Sequence, residues 1–180
     1  MNFRTLSACR VCSGSFESGS LKLKSTPLAN NLCNTESEAK SADIYPLEVV
    51  MCSSCKHIQL KDIVAPSEMF DNYLYRSGHS LTFQKHFKEL AKEIAQASKP
   101  FSKVLEVGSN DGYLLEALAK EGMKPIGIEP SEILVSECKN KGIRVHQGYL
   151  SSETSHELSD EHGKFNVIVG NNVRSEEHTS

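Results

Sequence analysis

The chain has 180 residues, 38% of them hydrophobic and 24% charged, with a net charge of −3. That is enough for one ordinary globular domain, or for a small domain plus part of another. The acidic balance argues against a large nucleic-acid footprint, no apolar run is long enough to span a bilayer, and MNFRTLSACR lacks the apolar stretch of a secretory signal, so a cytoplasmic location is the expectation.

Residues 1–65 read as a loop-rich domain carrying two cysteine pairs, CRVC (9–12) and CSSC (52–55). In a reducing compartment six cysteines point to metal ligands or buried thiols rather than disulfides. A CxxC knuckle lets two thiolates reach one tetrahedral zinc ion, and two knuckles complete a four-cysteine site of Cys9, Cys12, Cys52 and Cys55. With no open coordination position such a zinc is structural. The gap of 39 residues between the pairs exceeds that of a simple zinc ribbon, so the knuckles close a larger insert holding TPLANNL and YPLEVVMC. A redox CxxC is the alternative. Basic residues in this stretch are scattered among acids, which disfavours a nucleic-acid role for the module. Cys33 and Cys138 read as buried thiols, and His57 as a surface residue of the second knuckle or a spare ligand.

Residues 66–98 form a connecting segment that starts PSEMFDNYLYRSGHS and continues as a helix. Phe83, Phe87, Leu90, Ile94 and Ala97 recur at spacings of 4, 3, 4 and 3, which is one apolar helix face, with Ser80 as N-cap and Pro100 beyond its end.

From residue 99 strand and helix patterns alternate. KVLEV (103–107), KPIGIE (124–129), IRVHQ (143–147) and FNVIVG (165–170) read as strands, the last as a run buried on both faces. GYLLEALAKEG (112–122) and PSEILVSECKNKG (130–142) read as helices, and SSETSHELSDEHGK as a polar loop with a helical turn. The alternation predicts an α/β fold whose parallel, doubly wound (Rossmann-like) sheet spans residues 99–173.

In such a sheet ligands bind beyond the carboxyl ends of the strands, where the turn Glu106-x-Gly108-x-x-x-Gly112 lies. Its glycines let the backbone approach a ligand closely. A dinucleotide turn would carry a glycine where Asn110 stands, and Asp111 would repel a pyrophosphate. Glu129 ends the second strand, 23 residues after Glu106, where a carboxylate can take both hydroxyls of a ribose; that feature is shared with NAD sites. Gln147 to Tyr149 lie by position where an adenine would rest, and Asn171 and Asn172 face the same crevice by topology. A turn with no ligand and a dinucleotide turn remain the alternatives.

The turn resembles motif I of the class I S-adenosylmethionine (SAM) methyltransferases, in which it passes beside a cationic cofactor. Taken in order, CRVC, STPLANNL, YPLEVVMCSSCKHIQL, FDNYLYRSGHS, VLEVGSNDGYLL, IGIEPS and VIVGNN resemble the zinc-containing SAM-dependent sugar C-methyltransferases over residues 7–173. The resemblance implies an N-terminal zinc domain, a central SAM-binding sheet and a C-terminal domain closing over a nucleotide-linked deoxysugar. It implies SAM and structural Zn²⁺ as cofactors, with SAM held by Glu106, Gly108, Asn110, Asp111, Gly112 and Glu129. It implies a small-molecule partner, no nucleic acid and no membrane. Tyr73 and Tyr75, with Ser77 near them, line the active site by that resemblance; packing at a helix start is their plainer reading. His79 and His86 read as helix-surface residues. A methyltransferase of a non-sugar substrate and a non-catalytic zinc and cofactor binder are the rival readings.

The closing RSEEHTS (174–180) resembles a translated sequencing adapter, so the expectation is a non-native tail on a chain broken after the fourth strand, without the family's main catalytic base and inactive as it stands.

Overall fold

The computed structural model describes residues 2–29, 31–71, 73 and 75–173. The stretch read as a non-native tail, 174–180, lies outside the described residues. The chain divides into two compact units, one up to residue 74 and one over Tyr75–Val173.

The first unit is built from short antiparallel strands. β1 (Phe3–Thr5) pairs with β5 (Asp62–Val64), and β2 (Leu21–Thr26), β3 (Tyr45–Met51) and β4 (Ile58–Leu60) form a three-stranded sheet. Two short helices, α1 (Glu36–Ser41) and α2 (Pro66–Phe70), interrupt the strands. α1 starts at a capping box, in which the Thr35 side chain accepts from the Glu38 N–H and the Glu38 carboxylate accepts from the Thr35 N–H. The buried apolar set of this unit is small: Tyr45, Val50, Ile63, Cys9 and Cys52. So small a core leaves room for another source of stability.

The second unit is the α/β part. Its parallel sheet has four strands among the described residues, in the order β8 (Val145–Gln147), β7 (Lys124–Glu129), β6 (Lys103–Val107) and β9 (Val167–Gly170). The chain visits β6 first, moves outward to β7 and β8, then crosses back to the other side of β6. That reversal makes the β6–β9 boundary the topological switch point, beyond whose carboxyl ends ligands sit in doubly wound sheets.

Helices α3 (Leu81–Ala97), α4 (Tyr113–Lys120), α5 (Glu132–Asn140) and α6 (Ser152–His162) complete the unit. Ser80 caps α3, its side chain accepting from the Phe83 N–H. The α3 face is the one expected at its centre: Phe87 and Ala91 are buried with Val104, Leu114 and Leu118, while Phe83, Leu90 and Ile94 pack at the margin. Ala97 is exposed, and Ala95 takes its place on that face. By these contacts α3 belongs with the sheet unit.

Two expectations are corrected. The polar stretch read as a loop is the 11-residue helix α6, which starts at Ser151, whose hydroxyl accepts from the Thr154 N–H. It is anchored by one fully buried residue, Leu158, packed with Leu105, Ile126 and Ile128. β9 is not buried on both faces: Val167 and Val169 pack against the α3–α4 core, but Ile168 on the opposite face is 66% exposed. Among the described residues β9 pairs only with β6, and no helix there covers the Ile168 side.

Candidate metal centre and cofactor turn

The two cysteine pairs sit on matching knuckles. In the first, Cys9 O accepts from the Ser13 N–H at 2.9 Å, and Ser13 has φ 59°. In the second, Cys52 O accepts from the Lys56 N–H at 3.2 Å, and Lys56 has φ 60°. Each loop thus reverses in a left-handed residue just past its second cysteine, which turns both thiols to one side. Main-chain hydrogen bonds join the knuckles: the Ser53 N–H donates to Ser15 O at 2.9 Å and the Glu17 N–H to Met51 O at 2.8 Å. Gly14 is needed at this junction, because a Cβ there would lie 2.7 Å from Ser54 Oγ and 3.1 Å from Cys52 Sγ.

The four sulfurs all lie within 4.8 Å of one another, with Cys9–Cys55 at 3.7 Å and Cys12–Cys52 at 3.4 Å. A tetrahedral ion with bonds of about 2.3 Å to sulfur separates its ligands by about 3.8 Å, so the set fits zinc. The distances are far above that of a bonded disulfide, and all six cysteines are free. The electrostatics fit as well. The backbone N–H of Cys55, then that of Ser54, favours the Cys52 thiolate and lowers its pKa to about 6. At Cys55 the His57 N–H pulls the same way, yet the neighbouring thiols and burial push it up to about 12. Four thiols this close cannot all ionise unless a cation offsets their charge. His57 is half-buried rather than on the surface, and it is not among the four clustered ligands. Cys33 is exposed rather than buried, whereas Cys138 is fully buried against Leu115, Val135 and Val145.

The turn after β6 is left-handed at three residues, Gly108 (φ 65°), Asn110 (φ 51°) and Gly112 (φ 76°). A Cβ on Gly108 would lie 2.3 Å from Val173 Cγ1, and one on Gly112 would lie 2.8 Å from Ile143 Cδ1 and 3.0 Å from Cys138 Sγ. Only glycine fits either place. Gly112 is then the N-cap of α4.

Three carboxylates surround this turn, all buried: Glu106 at 3% exposure, Glu129 at 5% and Asp111 at 6%. Burial pushes Glu106 well above the usual carboxylate range; the nearby Asn171 side chain opposes this, although its Nδ2 is outside hydrogen-bond geometry, and the charges of Asp111 and Glu129 add to it. Burial also raises Glu129, against the N–H donors of Ser131 and Asn110. Those donors reach Glu129 Oε1 at 3.0 Å and Oε2 at 2.9 Å, each oxygen keeping a second lone pair for a ligand hydroxyl. Glu106 Oε2, Asp111 Oδ1, Ser109 Oγ and Asn171 Nδ2 are buried without a partner. The two orphaned carboxylate oxygens, Glu106 Oε2 and Asp111 Oδ1, suit a cationic ligand that carries donors, which is what SAM is, while Asn171 Nδ2 is a donor left open past β9.

The side chains of Asn110 and Asp111 are otherwise engaged. Asn110 Oδ1 accepts from the Ser77 N–H at 2.9 Å and its Nδ2 donates to Tyr75 O at 2.9 Å; Asp111 Oδ2 accepts from the Gly78 N–H at 2.9 Å. Sequence spacing carries no signal for these contacts, which join positions more than 30 residues apart. Tyr75 is 42% exposed. Tyr73, in the first unit, lines an open pocket of about 370 Å³ with Leu28, Asn31, Glu68 and Asp71. His79 and His86 are exposed. Gly148 follows β8, its N–H donating to Glu129 O at 3.0 Å, and Tyr149 beyond it is 37% exposed. Asn171 is half-buried just past β9, and Asn172 is exposed with φ 55°.

Residues 9–70 match the zinc binding domain family Methyltransf_13, and residues 88–177, half of the chain, match the family described as methionine biosynthesis protein MetW. The C-methyltransferase NovU of Streptomyces niveus is 27% identical over 169 residues, which cover 93% of this chain and 40% of that protein. The chain therefore spans about 40% of the length of the curated relative it matches. Among solved structures, DesVI of Streptomyces venezuelae is 23% identical with a TM-score of 0.38, covering 48% of this chain and 37% of that one. Magnesium protoporphyrin IX methyltransferase of Synechocystis PCC 6803 with bound SAM is 20% identical with a TM-score of 0.39, covering 50% of this chain and 44% of that one. Among the described residues no helix is long and apolar enough to cross a membrane.

Proposed function

We propose that this chain, whose residues 88–177 belong to the MetW family and whose residues 9–70 match a zinc binding domain family, is the N-terminal part of a SAM-dependent C-methyltransferase acting on a nucleotide-linked keto-deoxysugar. The observation that carries the reading is the acidic left-handed turn Glu106–Gly112 beside Glu129, at the carboxyl end of a parallel sheet and in one chain with a four-sulfur cluster.

In this reading Gly108 and Gly112 let the backbone lie against the methionine part of SAM. Glu106, with Asn110 and Asp111 completing the turn, makes a negative wall for its positive charges, and Glu129 accepts from its ribose hydroxyls. When bound, SAM supplies the methyl group, whose bonding pair to sulfur leaves with the thioether product. The zinc held by Cys9, Cys12, Cys52 and Cys55 is structural, since four thiolates leave no position for substrate. On the substrate, a 4-keto group acidifies the neighbouring C3–H; a general base takes that proton, and the resulting carbanion accepts the methyl. Tyr75, whose carbonyl is bonded to the cofactor turn, is assigned to the substrate side, and Tyr73 is assigned to it by the family resemblance alone. The base belongs to the part of the longer protein that this chain does not span, so the 180-residue chain binds cofactor without turnover.

The experiment is to titrate S-adenosylhomocysteine (SAH) into the 180-residue chain by calorimetry. The open reading frame extended beyond codon 173 is then assayed with methyl-labelled SAM and a nucleotide-linked 4-keto-deoxysugar. Binding by the chain and a new carbon-bound methyl in the extended protein are the expected results. Methyl transfer to oxygen or nitrogen, or no SAH binding, would sink the reading.

A further inference from the structure

The strip Tyr75–His79 lies against the cofactor turn and is fastened to it by side chains of the turn itself. Asn110 spans the strip with both ends of its amide, to Ser77 N–H and Tyr75 O. Asp111 holds the next amide, Gly78 N–H. Gly78 is buried and fits Asp111 so closely that a Cβ there would lie 2.5 Å from Asp111 Oδ2 and 3.0 Å from Tyr113 Cδ2. Three further bonds brace the strip: Gln84 Nε2 donates to Gly78 O at 2.7 Å, and Arg76 makes a two-point pair with Glu137, at 2.5 and 3.1 Å. On the other side, the Asn110 main chain is bonded to Glu129, so one residue touches both the ribose-binding carboxylate and the strip that carries Tyr75 and Ser77.

We propose that Asn110 and Asp111 are positioning residues that latch the Tyr75–His79 strip onto the cofactor turn, coupling cofactor binding to the placement of the strip. The inference rests on the SAM reading of the turn. Asn110 is left-handed, a conformation that asparagine adopts more readily than other side chains but less readily than glycine. Its two side-chain bonds to the strip help to hold it there, so releasing the strip loosens the backbone on which SAM rests. By linkage the converse holds: a ligand that fixes the turn tightens the strip by the same factor. Both ends of the Asn110 amide are spent on the strip, whereas Asp111 gives it only Oδ2 and keeps Oδ1 open, which separates Asn110 from Glu129 as a cofactor contact.

The test uses the 180-residue chain with two readouts, SAH affinity by calorimetry and amide hydrogen exchange across 75–80, with exchange in β6 and β7 as the check on folding. N110G removes the amide while suiting the left-handed backbone; D111A removes the acceptor and D111N restores it; G78A pushes the strip off from its own side, its Cβ meeting the Asp111 carboxylate while the residues of the turn stay unchanged. N110G, D111A and G78A are expected to speed exchange at Ser77 and Gly78 about tenfold or more, the factor that goes with one buried hydrogen bond to a polar or charged acceptor. SAH affinity should fall by a similar factor, D111N should lie near wild type, and SAH should slow exchange of the strip in wild type. Unchanged exchange in N110G and G78A would overturn the latch. Faster exchange with unaltered SAH affinity would overturn the coupling. If wild type binds no SAH while the variants still free the strip, the SAM reading fails and the coupling with it, and the strip contacts are structural only.

Discussion

The backbone N–H of Asn110 donates to Oε2 of Glu129 at 2.9 Å, joining the turn after β6 to the last residue of β7. The two residues are 19 apart in sequence, and the bond exists because β6 and β7 are paired in parallel with Val107 opposite Ile128. Glu129 also accepts from Ser131 N–H at the start of α5, so one carboxylate ties together the two turns that flank the crevice. This arrangement makes it possible to separate a ligand role from a scaffold role.

Glu129→Gln keeps the shape but places an NH₂ group against one of two N–H donors and removes the charge. SAH affinity of the chain is expected to fall ten- to a hundredfold, the range for losing hydrogen bonds to a charged acceptor. Calorimetry checks this, with the melting temperature measured alongside. A variant that melts like wild type and binds SAH equally well would show that Glu129 only braces the turns.

The zinc centre is testable separately. Metal analysis of the purified chain should give about one zinc per molecule. Cys52→Ser should lower that number, because Cys52 is fully buried between the knuckles, whereas Cys33→Ser, at an exposed thiol outside the cluster, should leave it unchanged. Chelation should speed hydrogen exchange in β3 before β6, since the buried apolar set of the first unit is so small. A metal-free wild type that keeps β3 protected would end the four-cysteine assignment.

Much of this was legible in the sequence, for identifiable reasons. β6 and β7 have the expected bounds because apolar strands between glycine and lysine punctuation leave little freedom. The cysteine knuckles are equally plain, since a CxxC spacing is local geometry. α6 reads as loop because its composition is polar and a single buried residue, Leu158, holds it; the Ser151–Thr154 cap is the signal that the sequence does carry. The exposure of Ile168 could not be read from VIVG, because an apolar run does not say which neighbours cover it. The side-chain contacts of Asn110 and Asp111 with Tyr75, Ser77 and Gly78 carry no sequence signal, because their partners are backbone groups 33 and 35 positions away.

Gly112→Ala tests the turn as a conformation. The residue would keep φ near 76°, and its Cβ would press on Cys138 of α5 and on Ile143 packed beside it. Left-handed strain and overpacking together should cost about 2–4 kcal/mol, lowering the melting temperature of the second unit. Thermal unfolding followed by circular dichroism measures it. A loss under 0.5 kcal/mol, roughly the scatter of neutral surface changes, would mean that the turn tolerates a side chain there.

Glu106 gives the pH prediction. Its pKa in the folded chain is raised well above the ordinary value of 4.5, with burial as the largest cause. The folded state therefore holds this proton more tightly than the unfolded state does. The stability it contributes is fully present below about 4.5 and is lost as pH rises through the folded pKa. Without ligand, the second unit should lose stability from about pH 4.5 upward, and Glu106→Gln should flatten that slope and raise the melting temperature at pH 7. SAM, whose positive charges favour the ionised carboxylate, should restore part of the loss in wild type and less in Glu106→Gln. Melting curves from pH 4 to 8, with and without SAM, decide the matter. A wild-type slope unaffected by the substitution would place the proton elsewhere, with Glu129 as the next carboxylate to replace, since burial raises it too.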